Sequence, residues 1–163
     1  MNTKEIATPL ATLFAELVDG ISGGGAYVLN SGDAGLLASL ERMSAGDASA
    51  SSAGGATVAA HADHIRYGLS LMNRWALGEN PFKSADWAAS WRIGAVSDEQ
   101  WREVRDGLKR ETDAWRTTLE APREVHEKEL TGMISSIVHL AYHFGAVRQI
   151  SAAARGPKES GIP

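Results

Sequence analysis

SIVHLAYHFGAVRQ, residues 136–149, is an apolar run that reads as a buried helix, and it carries His139 and His143 four positions apart. Residues at that spacing sit about one turn above each other on an α-helix, so both imidazoles point the same way and can meet at one atom. A metal ion is the usual reason for such a pair. A hydrogen-bonded core histidine is the alternative, because H-x-x-x-H arises by chance in helices and Leu140 stands where a zinc-protease motif requires Glu.

Working outward, the fourth helix is expected from about Thr131 to Ala154, ended by Gly156 and Pro157, with a frayed tail over about 157–163. Before it, Ser97 and Gln100 form a capping-box start, and Trp101, Val104, Leu108, Trp115 and Leu119 continue at helical spacing until Pro122. A second helix is expected from Thr57 to about Leu77, with Val58, Ala62, Ile65, Leu69 and Met72 on one stripe and Gly78 as its stop. The first runs from about Thr3 to Asp19, closed by Gly20, with Pro9 either in its first turn or kinking it. Between the first and second helices, LLASLERM reads as a short helical piece and SAGDASASSAGGA as a loop or linker. The stretch GENPFKSADWAASWRIGAV reads as an ordered loop anchored by Phe82, Trp87 and Trp91.

Four amphipathic segments, no alternating strand signal and no internal repeat predict an all-α, single-domain chain over 1–163, an antiparallel-type four-helix bundle. The long first connection leaves room for a crossover. The chain has 163 residues, enough for one core. It has no cysteine, so it can form neither a disulfide nor a thiol nucleophile of its own. A net charge of −4 without a basic stripe argues against nucleic acid. No run is read as approaching the roughly 18 apolar residues of a membrane span, and the N-terminus lacks a leader pattern. A cytoplasmic location is therefore expected, with no membrane partner.

Four of the five histidines fall in two helices: His61 and His64 in the second, His139 and His143 in the fourth. Packed helices lie ~8–10 Å apart, so two imidazoles from one helix and one from another can close three positions around a divalent ion. Three neutral imidazoles leave the ion's charge uncompensated and favour an anionic fourth ligand. On a helical wheel His61 lies nearer than His64 to the centre of the inward face, though both are inside or at the edge of the apolar arc. Periodicity alone therefore chooses His61 and does not settle the matter.

The stretches GGATVAAHADHIRYGLSLMNRW, residues 54–75, and HLAYHFGAVRQ, residues 139–149, resemble the DinB-like (YfiT-like) metal-binding family. That superfamily includes small-molecule-thiol S-transferases and mycothiol-dependent maleylpyruvate isomerase. The resemblance extends from the first helix to about Gln149. It implies a four-helix bundle with a three-histidine site for nickel, zinc or a similar divalent ion such as iron, and frequent dimerisation. Carried over, the second-helix ligand lies seven residues after Thr57, at His64, and the fourth-helix pair is His139 and His143. His61 then becomes a supporting residue or the alternative ligand.

Asp63 and Tyr142 are candidates for orienting a ligand or handling a proton, with a solvated or packing role as the alternative. Arg148 could pair with an anionic substrate or tie down the bundle end. Trp75, Trp87 and Trp91 could line a pocket, and Gly145 reads as a packing residue. The expected function is a divalent-metal-dependent enzyme, a transferase in which the ion activates a low-molecular-weight thiol toward a small-molecule substrate. The alternatives are a non-catalytic metal-binding bundle, serving as sensor, store or structural site, and a metal-dependent hydrolase. A homodimer is a further expectation.

Overall fold

A computed structural model of the chain describes residues 2–21 and 26–154. The described residues are mostly helical and contain no strand, only three isolated β-bridges. The helices are α1 (Ala7–Asp19), α2 (Leu36–Glu41), α3 (Ala45–Ala48), α4 (Val58–Ala76), α5 (Asp98–Glu120) and α6 (Glu127–Ile150). Short 3-10 turns cover Pro81–Ser84, Ser90–Arg92 and Ala152–Ala154.

Local chemistry explains the helix ends. Ser97 Oγ accepts from the Gln100 N–H and Gln100 Oε1 accepts from the Ser97 N–H, so α5 begins at the expected capping box. Thr57 Oγ1 accepts from the Ala60 N–H and caps α4. α1 starts at Ala7 rather than Thr3, because the Thr3 carbonyl accepts from Ile6 and Ala7 in a preceding turn. Pro9 therefore sits in the first helical turn, where a missing N–H costs nothing. α6 starts one turn before the expected Thr131: Glu129 Oε2 accepts the His126 N–H and Arg123 binds the same carboxylate, which starts the helix at Glu127. It ends at Ile150, short of Ala154; the Gly156–Pro157 stop and the frayed tail lie outside the described residues.

The segment read as a plain linker contains α3, held by reciprocal bonds between Ser44 and Asp47. The connection after α1 is organised by a buried carboxylate, Glu16, which accepts from the N–H groups of Tyr27, Val28 and Leu29. Gly20 and Gly35 pass so close that a Cβ on either would overlap the other's backbone.

Contacts between the long helices fix their directions. Thr3 bonds Arg123, Asp19 pairs with Arg116, Glu41 with Arg105, and the Trp101 indole donates to the Met43 carbonyl. α1 and then α2 thus run along α5 in the opposite sense. Arg66 lies on Gly107 while the Asn73 amide donates to Glu111, so α4 and α5 are parallel. His61 meets His143 while Trp75 meets Gly132, so α4 and α6 are antiparallel. α1 and α4 each pack chiefly on α5 and α6, and the chain crosses the assembly between α1 and α4. The core holds Phe14, Leu17, Leu108, Trp115 and Phe144, with the Trp115 indole donating to Ser136 Oγ. Contrary to the expectation that no run approaches the length of a membrane span, one helix does. α6 is long and apolar enough by length and composition to cross a membrane; only 39 % of that apolar window is buried against the rest of the chain.

Candidate metal centre

His64, His139 and His143 bring one ring nitrogen each within 4.8 Å of one another. The antiparallel pairing of α4 and α6 places them there, since it sets the second turn of α4 against two successive turns of α6. His139 and His143 approach with Nε2 to Nε2 at 3.0 Å. His64 packs its ring 5.0 Å from that of His139 and 4.8 Å from that of His143.

His61 stands beside this group and does not join it. Its Nδ1 lies 3.0 Å from His143 Nδ1, the ring nitrogen of His143 opposite to the one facing His139. A neutral imidazole has one N–H and one lone pair, so the bond to His61 governs which nitrogen of His143 keeps its lone pair for the triad.

Burial holds all four imidazoles below their ordinary range. His143 is brought down to about 3 by burial first, and then by the charge that His139, His64 and His61 would carry. His64 is brought to about 4 by burial and by His139 and His61, against an opposing pull from Asp63. Burial also lowers His61 and His139. All four are neutral at neutral pH, the state in which imidazole binds a metal.

The donor set fits a divalent ion. His64 Nδ1 is buried with no hydrogen-bond partner, and a fold pays for such an atom unless something meets the ring. The facing Nε2 atoms of His139 and His143 satisfy each other only when one donates and the other accepts, and the unpartnered nitrogen of the third imidazole, His64, can offer a lone pair that a bound ion would engage.

The segment between α4 and α5 covers the site. Trp91 stacks on His64, with ring centroids 4.2 Å apart and planes 30° apart, and meets His61 in a T-shaped contact. α4 itself holds this segment down: Asp63 Oδ2 accepts from Ser90 Oγ at 2.6 Å, Tyr67 Oη accepts from the Asp86 N–H, and Thr57 Oγ1 donates to the Ile93 carbonyl. Ser90 and Tyr67 carry no signal in the sequence, because their partners are fixed only by how the segment folds back.

Asp63 is engaged by Ser90 and by Arg66, so it fixes the cover and is not placed to take a proton. Tyr142 is 71 % exposed, its ring in a T-shaped contact with His143 from outside. Arg148 bonds Asp33 and Ala34 and lies over the Phe144 ring, tying the α1–α2 connection to α6. Trp75 walls the far end of a cavity whose near end is His139. Gly145 is no close-approach residue: a Cβ there would meet nothing within 4 Å. His126, the fifth histidine, lies outside the helices as the residue that precedes α6.

No protein-family model, curated protein or solved structure matches the chain.

Proposed function

We propose that this chain is a DinB-like four-helix bundle whose His64, His139 and His143 hold one divalent ion, and that it is a metal-dependent transferase acting with a low-molecular-weight thiol. The observation that carries the reading is the convergence of the three imidazoles beside an apolar cavity. Nickel and zinc are the ions proposed, and iron also suits imidazole ligands. When bound, the ion would lower the pKa of a thiol brought to it and hold the anion facing the cavity.

The chain's own residues do the rest. His61 orients His143 through the Nδ1 contact. Trp91 and Trp87 shield the α4 side from water. The lack of cysteine makes the thiol an external one. A hydrolase is less well supported, because Asp63, the carboxylate next to the triad, is committed to Arg66 and Ser90 and is not free to take a proton from water. A purely structural ion is disfavoured by His61, the residue best placed to close a fourth position, which instead binds the far nitrogen of His143.

The test is elemental analysis of untagged protein beside His64→Ala and His139→Ala. The expected result is one divalent ion per chain, lost in both variants, with metal-dependent consumption of a small thiol in the presence of an electrophile. No ion after incubation with zinc or nickel refutes the site; an ion without thiol consumption refutes the transferase.

A further inference from the structure

A cavity of about 380 Å³ lies between α4 and α6 and runs to His139. Its walls differ in chemistry. From α4 come Ile65, Leu69, Met72 and Trp75, an apolar stripe at three- and four-residue spacing. Phe82 and Trp87 close the side, and Trp75 packs on Gly132 so tightly that a Cβ there would overlap the indole. From α6 come Lys128, Thr131, Ser135 and His139, which fall on one helical face. Lys128 and His139 are about three turns, or ~16 Å, apart at ~1.5 Å per residue.

Most polar groups along that face are already spoken for. Thr131 Oγ1 donates to the Glu127 carbonyl, and Ser136 Oγ bonds both the Trp115 indole and the Met133 carbonyl. Lys128 is the exception that carries charge: it is exposed at the mouth and has no ion pair or hydrogen bond among the described residues. Its neighbour Glu129 is held by Arg123 and by the His126 N–H, and Glu127 projects ~100° away around the helix. The result is an apolar slot with a free ammonium at one end and the imidazole group at the other.

We propose that this slot binds an elongated apolar carboxylate, an aryl-alkyl or medium-chain alkyl acid, as the small-molecule substrate of the reaction. The carboxylate meets Lys128, the apolar body lies along the α4 stripe between Trp75 and Trp87, and the far end reaches His139. The identification of this molecule as substrate rests on the metal-centre reading; the slot and Lys128 stand without it.

The experiment uses 4-phenylbutyrate and its neutral amide as probes, titrated into the full chain and followed by quenching of tryptophan fluorescence, since Trp75 and Trp87 line the slot. It is run on metal-loaded and metal-stripped protein. The expected result is saturable binding of the acid, weakened about five- to tenfold by Lys128→Gln, with the amide unchanged within about twofold. Ser135→Phe, a change at an exposed position that fills the slot, is expected to abolish binding of both probes while leaving the metal content of the loaded protein as it was. Failure of the acid to bind at millimolar concentration, or equal weakening of both probes by Lys128→Gln, overturns the proposal. Acid binding to a chain that takes up no zinc or nickel on incubation overturns the metal centre and leaves the slot standing.

Discussion

Replacing His61 by Phe tests how the imidazoles are organised. Phe keeps a ring of similar size against Trp91 and His143 but removes the nitrogen that lies 3.0 Å from His143 Nδ1. When His143 presents its Nε2 lone pair to an ion on the side of His139, its Nδ1–H is left to donate to His61. Without His61, that N–H has no acceptor and the alternative tautomer, with Nε2 protonated, gains population. Loss of such an orienting partner costs 10- to 100-fold in metal affinity, or about 1.4–2.7 kcal/mol. Competition with a chelator of known zinc affinity reads this directly, and thermal unfolding of the metal-free protein checks that the fold persists. Affinity unchanged within about twofold would make His61 a packing residue only. Complete loss of the ion, equal to that in His139→Ala, would make His61 a ligand and refute the assignment of the triad.

Glu16→Gln is expected to destabilise the chain by about 2 kcal/mol in urea unfolding at neutral pH, because a carboxylate accepting several N–H groups is replaced by an amide. Burial raises the Glu16 carboxyl, but the N–H groups of Leu29, Val28 and Tyr27 outweigh it and hold the group below its ordinary value. Its contribution is therefore full above the unfolded pKa of about 4.5 and is lost as pH falls through the lower folded value; wild type should lose stability more steeply than Glu16→Gln over that range. Ser90→Ala removes the buried partner of Asp63 and is expected to cost about 1–3 kcal/mol and to loosen Trp91 from His64, seen as a change in tryptophan emission. An unchanged melting temperature would refute the anchoring role. Gly132→Ala drives Trp75 from its seat, with an expected loss of about 1–3 kcal/mol in urea unfolding; neutrality would mean that the indole relaxes freely.

The helices were legible where a periodic apolar stripe coincided with a cap. Thr57 and the Ser97–Gln100 box placed the starts of α4 and α5 to the residue, because both signals are local. The start of α6 was misplaced because His126 is not a usual capping residue and the decisive carboxylate, Glu129, is also held by Arg123. The short α3 was hidden in a small-residue run, although Ser44 and Asp47 stand at cap spacing within it. In the site, the spacing of His139 and His143 was readable at once, but the wheel could not separate His61 from His64. Both lie within the arc that faces α6, and the structure gives them different partners on the same ring: His61 the outer nitrogen of His143, His64 the group around the inner one. That distinction depends on the offset between two helices far apart in sequence, which no single helix encodes.

The same offset explains why the cover lies where it does. Because α4 and α5 are parallel neighbours, the chain leaving α4 at Ala76 must return the length of that helix, ~28 Å at ~1.5 Å per residue, before α5 can begin. A short hairpin would not need this return, and would not pass the histidines. The returning segment has chain to spare for two 3-10 turns, and it runs against the α4 surface from Phe82 near Trp75 to Ile93 near Thr57. It therefore passes Gly68 and His64 on the way and sets Trp87 and Trp91 there. At Gly68 a Cβ would touch both His139 and Trp87 at ordinary contact distance, so cover, cavity and imidazole meet at one point of α4. The connection that lets α4 and α5 run parallel is thus also what gives the imidazole group its aromatic wall.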